Sequence, residues 1–154
     1  MGCKVESEKY VLRALSICER GVKNNHNVYE SLLAQILSNL SMLYLEKNRF
    51  IDAEKCCLQS IKIFEKLIKK SVCGVEPYLL SSLNTLSLLY HETKQIKKSQ
   101  KYCLRAITLC EQLLVRFPEV YAITLQSLKE NYKELQNISN NTMSNNAPRL
   151  KIIQ

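Results

Sequence analysis

Seven cysteines and two histidines carry most of the reactive chemistry available to this 154-residue chain. Cys3, Cys18, Cys56, Cys57, Cys73, Cys103 and Cys110 include no Cys-x-x-Cys pair, and their number is odd. That pattern implies neither a complete disulfide framework nor a zinc knuckle. Several fall on apolar faces at helical spacing, where a reduced Cys packs as a small hydrophobe. His26 stands in the segment Asn24-Asn25-His26-Asn27, which is expected to be a loop, and His91 stands at an expected helix end. Neither belongs to a signature for a nucleophile or a metal site. A Gly-rich phosphate loop and a paired-acid motif are both missing. Glu6 stands where N-myristoylation favours Ser or Thr, so Gly2 is not read as a lipid anchor. The expectation is a non-enzyme with no catalytic residue, no metal and no cofactor.

Charge is the next candidate for chemistry. The chain has a net charge of +8. Lys62, Lys66, Lys69 and Lys70 form one basic group, and Lys97, Lys98, Lys101 and Arg105 form another. Such faces suit an acidic partner surface or a nucleic-acid backbone. A reader of single-stranded RNA or DNA also needs aromatic stacking platforms. Here Trp is absent, and most Tyr residues fall at repeat-core positions. RNA binding is therefore the alternative reading, and a solvated helix face is the preferred one.

The elements that position these residues are helical. Gly and Pro number only three each, too few for the turns of an all-β fold. Lys9-Tyr-Val-Leu-Arg-Ala-Leu-Ser-Ile-Cys-Glu19 recurs as Lys101-Tyr-Cys-Leu-Arg-Ala-Ile-Thr-Leu-Cys-Glu111, an offset of 92 residues, or twice 46. An intermediate copy lies near residue 56, where Leu58, Ser60, Ile61, Phe64 and Glu65 take the places of Leu12, Ala14, Leu15, Cys18 and Glu19. Independently, Leu37-Ser-Asn-Leu-Ser-Met-Leu-Tyr-Leu-Glu46 matches Leu83-Asn-Thr-Leu-Ser-Leu-Leu-Tyr-His-Glu92 at an offset of 46. One period shared by two blocks is the mark of a repeat architecture. Leu33, Leu37, Leu40 and Tyr44 form a single helical stripe, as do Leu79, Leu83, Leu86 and Tyr90, and Cys57, Ile61, Phe64 and Ile68. Pro77 and Pro118 suit first turns of helices, and Gly74 suits the loop before Pro77. The pattern predicts helices over 4–23, 29–46, 50–70, 78–93, 96–116 and 119–137. The Asn- and Ser-rich remainder, 138–154, is expected to be a disordered tail. No apolar run reaches the length of a bilayer-spanning helix, and no secretory signal is visible, so a cytoplasmic protein without membrane contact is expected.

Leu37, Leu40, Ser41 and Tyr44 on one helix, then Ala53, Cys57 and Ser60 on the next, resemble the tetratricopeptide repeat. So do Leu83, Leu86, Ser87 and Tyr90 followed by Ser99, Cys103 and Ala106. The longer helices and the Glu after the core stripe (Glu65, Glu111) are similar to the kinesin-light-chain type of repeat. The resemblance covers about residues 4–137. It implies an all-α, right-handed solenoid of antiparallel helix pairs, organised as the second helix of a partial repeat (4–23), full repeats at 29–70 and 78–116, and a capping helix (119–137). Two departures stand out: Asn48 and Lys94 replace the usual turn Gly, and Lys129 replaces a small residue. Asn tolerates a left-handed backbone, and Lys is poorer at it. The initial Met argues weakly for a genuine start, and whether the chain is a fragment of a longer array stays open.

The resemblance also implies a function. In that family, first helices line a concave groove that holds peptides of partner proteins. It assigns Gln35, Ser38, Asn39, Met42, Ser81, Asn84, Thr85 and Leu88 to the groove, with His91 at its edge. Asn39 and Asn84 are suited to an extended peptide because an amide both donates and accepts. The expected role is a scaffold or adaptor for a protein or peptide partner, with an acidic one compatible with the charge. The exposed ends of the stack are candidates for self-association, and a purely structural stacking role is a further alternative.

Overall fold

The computed structural model describes residues 2–22 and 26–146. It contains α1 (Gly2–Val22), α2 (His26–Glu46), α3 (Phe50–Lys69), α4 (Glu76–Glu92), α5 (Ile96–Arg116) and α6 (Pro118–Asn146). The described residues contain no strand. Consecutive helices pack as antiparallel pairs, α2 with α3 and α4 with α5, flanked by α1 and α6. The first and second helices of the repeat thus alternate as expected.

The stripes read from the sequence form the core. Leu33, Leu37, Leu40 and Tyr44 are buried, as are Leu79, Leu83, Leu86 and Tyr90. On α3 the stripe runs through Cys57, Ile61, Phe64 and Leu67; Ile68, expected there, is half-buried beside it. Small residues let helices approach and bond. Cys57 Sγ donates to the Ser82 carbonyl at 3.1 Å, and its counterpart Cys103 to the Leu128 carbonyl at 3.5 Å. Ser60 Oγ donates to the Ala34 carbonyl at 2.8 Å. Ser87 and Ser99 exchange hydroxyl-to-carbonyl bonds of 3.0 and 2.8 Å across the α4/α5 pair.

The turns explain how the helices stop. Asn48 and Lys94 have φ of 57° and 59°, and Ser71 has 58°. Arg49 N donates to Tyr44 O and Asn48 N to Leu45 O, at 2.8 and 3.0 Å. Gln95 and Lys94 repeat those bonds to Tyr90 and His91 at the same distances. This is the Schellman arrangement, and it needs a left-handed residue at the position where Gly is usual. Gly21 has a different reason. A Cβ there would collide with the Tyr29 ring, so its absence lets α2 lie against the end of α1.

Two boundaries differ from the sequence reading by more than two residues. Helix α6 continues through residue 146, so 138–146 of the expected tail is helical; 147–154 lies outside the described residues. The Asn24–Asn27 loop falls partly outside them too, and α2 already begins at His26. Asn and Ser are poor but permitted helix residues, and propensity is a weak guide at a helix end.

Candidate functional site

The first helices α2, α4 and α6 line one side of the stack, and their spacing is unequal. Between α2 and α4 the seam is closed. Ser38 Oγ lies 3.0 Å from Ser82 Oγ, which in turn lies 3.2 Å from Ser60 Oγ. Thr85 Oγ1 lies 3.3 Å from the Met42 thioether and 3.0 Å from the Ser81 carbonyl. Ser38, Ser82 and Thr85 are buried there. Ser38 and Thr85 therefore leave the set of groove residues: their side chains are consumed in holding first helices together.

Between α4 and α6 the seam is open. Three of the four residues at the same repeat positions are larger, and Leu88 is about the size of the Met42 it replaces. Asn84 and Leu128 replace Ser38 and Ser82, and Leu88 and Asn131 replace Met42 and Thr85. These bulkier side chains hold the helices apart, leaving a cleft of 490 Å³. Its α4 wall is Pro77, Leu80, Ser81 and Asn84, and its α6 wall is Ile123, Thr124, Ser127, Leu128 and Asn131. A smaller pocket of 140 Å³ adjoins it toward the helix ends, reached by Leu88, His91, Glu134 and Leu135 and floored by Ser87, Ser99 and Cys103. Asn84 and Asn131 line both cavities and so form the neck between them.

The sequence-derived set thus divides in two. Ser81, Asn84, Leu88 and His91 lie at the cleft. Gln35, Asn39 and Met42 do not; they sit on α2, where Asn39 and Met42 are exposed. Asn39 matches Thr85 in the repeat, so it faces the side of α2 where another first helix would stand. A capping role for 119–137 places no groove residue on α6, so that wall of the cleft is visible only in the structure. Carrying the 46-residue offset one step further pairs Ser81 with Ser127 and Thr85 with Asn131.

The chemistry of the cleft is that of recognition. Two amides at the neck offer donors and acceptors to an extended backbone. Leu88, Leu135 and the 80% exposed Ile123 offer apolar contact. The buried thiols are poor nucleophiles: burial raises Cys103 and Cys110, and pushes Cys57 up to about 12. Tyr90, desolvated and donating to Glu54 Oε1 at 2.6 Å, is likewise raised. No group of three or more metal-ligating side chains occurs among the described residues.

The basic groups lie on the second helices, away from the cleft, and are partly neutralised. Lys66 and Lys70 approach the buried Glu30 carboxylate at 2.6 and 3.5 Å. The Lys66 hydrogen bond holds Glu30 below the ordinary carboxylate range against the cost of its burial. Arg105 pairs with Glu65, and Lys98 sits 5.0 Å from the Tyr90 ring centre. No described helix is long and apolar enough to cross a membrane.

In comparison with known families, the model of the tetratricopeptide repeat matches residues 33–70 and 79–119. A comparison with curated proteins produced no match.

Proposed function

The chain belongs to the tetratricopeptide repeat family, and from that premise we propose that it is an interaction scaffold holding an extended segment of a partner protein in the α4/α6 cleft. Repeats of this family generally mediate protein–protein contact. The observation that carries the proposal is the neck formed by Asn84 and Asn131, with apolar surface on either side. A peptide backbone crossing that neck finds donors and acceptors from both walls, and its side chains find Leu88 and Leu135 on one side and Ile123 on the other. The long repeat period favours the kinesin-light-chain type within the family, and a cytoplasmic location fits that reading. Glu134 is the only acid and His91 the only base lining the cleft and the pocket among the described residues, so charge there does not favour an acidic peptide. The paired lysines on the second helices give no specific reason to prefer a nucleic acid.

A displayed peptide library selected on the full chain provides a ligand for the test. Asn84→Ala with Asn131→Ala should weaken the selected peptide about tenfold or more, since each lost hydrogen bond costs about 0.5–1.5 kcal/mol. Asn39→Ala should leave affinity unchanged. Equal affinity in the double variant, or a loss in Asn39→Ala, would move the site away from the cleft.

A further inference from the structure

The groove between a second helix and the next first helix occurs at each step of the repeat, and it is not filled equally. Between α3 and α4 it is covered by α2, which bonds to both walls through Ser60 and Ser82. Between α1 and α2 the same positions stand open among the described residues. Ser60, Ser82, Thr85 and Leu89 are buried, whereas their counterparts Ala14, Ile36 and Leu43 are half-buried and Asn39 is exposed. On α1, Tyr10 is 66% exposed and Ile17 50%; on α2, Leu32 is 44% exposed. The opposite end differs in kind. On α6 the positions of Leu37, Ser41 and Tyr44 are taken by Lys129, Lys133 and Gln136, all exposed. One end of the stack is finished with charge, and the other is left apolar.

The occupant that fits the apolar end is legible inside the molecule. Residues 9–19 of α1 nearly duplicate 101–111 of α5. In α5 that face is already covered by a helix, α4, whose Tyr90 ring lies 5.5 Å from the ring of Tyr102. Tyr10 is the counterpart of Tyr102, and Ala14 and Ile17 are the counterparts of Ala106 and Leu109. A face built to receive α4 is thus present twice and covered once among the described residues. We propose that the α1/α2 end is a docking site for an amphipathic helix from outside residues 1–154, one with the apolar stripe and terminal Tyr of α4. Ile36 takes the place of Ser82, so the incoming helix needs an apolar or Ala residue where α2 has Ser38. Asn39 asks for a polar side chain one turn further on. A second copy of this chain docking head to tail is disfavoured, because α6 would bring Lys133 and the Lys129–Glu111 ion pair against Tyr10 and Ile17, at the cost of desolvating those charges. This site is separate from the α4/α6 cleft.

The probe is a synthetic peptide of residues 76–92 carrying Asn84→Ala and Leu88→Gln to meet those two requirements, cross-linked on its polar face to hold it helical, since a free helix of that length is marginal in water. Titrated into the full chain and followed by fluorescence anisotropy, it should bind saturably. Tyr10→Ala with Ile17→Ala, both exposed positions whose folding is checked by circular dichroism, should weaken it about tenfold or more. Asn84→Ala with Asn131→Ala should not. Absence of saturable binding overturns the proposal, as does binding indifferent to Tyr10 and Ile17. A dimer of the peptide-free chain that the same two substitutions abolish overturns it too, because the face then belongs to a second copy.

Discussion

Small side chains at helix crossings decide more here than large ones. Ser38 and Ser82 close one seam, while Asn84 and Leu128 at the same repeat positions open the next. The cysteines follow the same logic, since Cys57 and Cys103 each serve as a compact donor to a carbonyl on the following first helix. Their thiols are expected to be inert. With Cys57 near a pKa of about 12, its thiolate is scarce at pH 8, whereas Cys73 is exposed. Of Cys18, Cys56, Cys57, Cys73, Cys103 and Cys110, alkylation of the native protein at pH 8 should label Cys73 first and spare Cys57 until unfolding. Mass mapping of early adducts checks this, and early labelling of Cys57 would mean that α3 does not pack as described.

At the level of elements, helix termination carries a backbone cost in each repeat. Asn48 and Lys94 both take a left-handed backbone that lacks the Gly usual in this family. For a side chain with a Cβ this conformation costs about 1–2 kcal/mol, less for Asn, whose polar group bonds locally. Lys94→Gly should therefore stabilise the chain by up to about 1 kcal/mol, the gain being reduced by the greater freedom of Gly in the unfolded chain. Asn48→Gly should give less. Urea denaturation of the two variants measures the difference; a destabilised Lys94→Gly would show that the Lys side chain contributes something the turn geometry does not require. That turn was readable beforehand, because the offset of 46 placed Asn48 and Lys94 at one structural position. The length of α6 was not, because Asn- and Ser-rich composition does not by itself decide where a helix stops.

For the molecule as a whole, the two ends of the stack set what it can join. The α6 face carries Gln126, Lys129, Lys133 and Gln136 where α2 carries Ala34, Leu37, Ser41 and Tyr44. Lys129 is held 2.8 Å from Glu111, which keeps that charge at the surface. Restoring the repeat pattern with Lys129→Leu and Lys133→Ser should let the apolar α1 end of one copy stack on α6 of the next. Light scattering over a concentration series should then show mass rising above that of the parent chain. An unchanged mass would mean that these two lysines are not what limits stacking.

The sequence by itself determined the helices, their pairing and the family, because a repeated apolar stripe has one efficient way to be buried and the 46-residue period fixed which helices are equivalent. It also marked Ser81, Asn84 and Leu88, which line the cleft or the pocket adjoining it. Only the tertiary structure decided which first helices stand apart. Ser38 and Thr85 look like groove residues on an isolated helix, since they lie off the core stripe. They are buried because a neighbouring first helix, more than forty residues away in sequence, comes within hydrogen-bonding distance of them. Asn131 enters the cleft for the converse reason, that bulk on both walls holds α6 away from α4. Whether a polar side chain becomes a joint or a binding surface depends on the size of the residue opposite, and helical periodicity carries no information about what stands opposite.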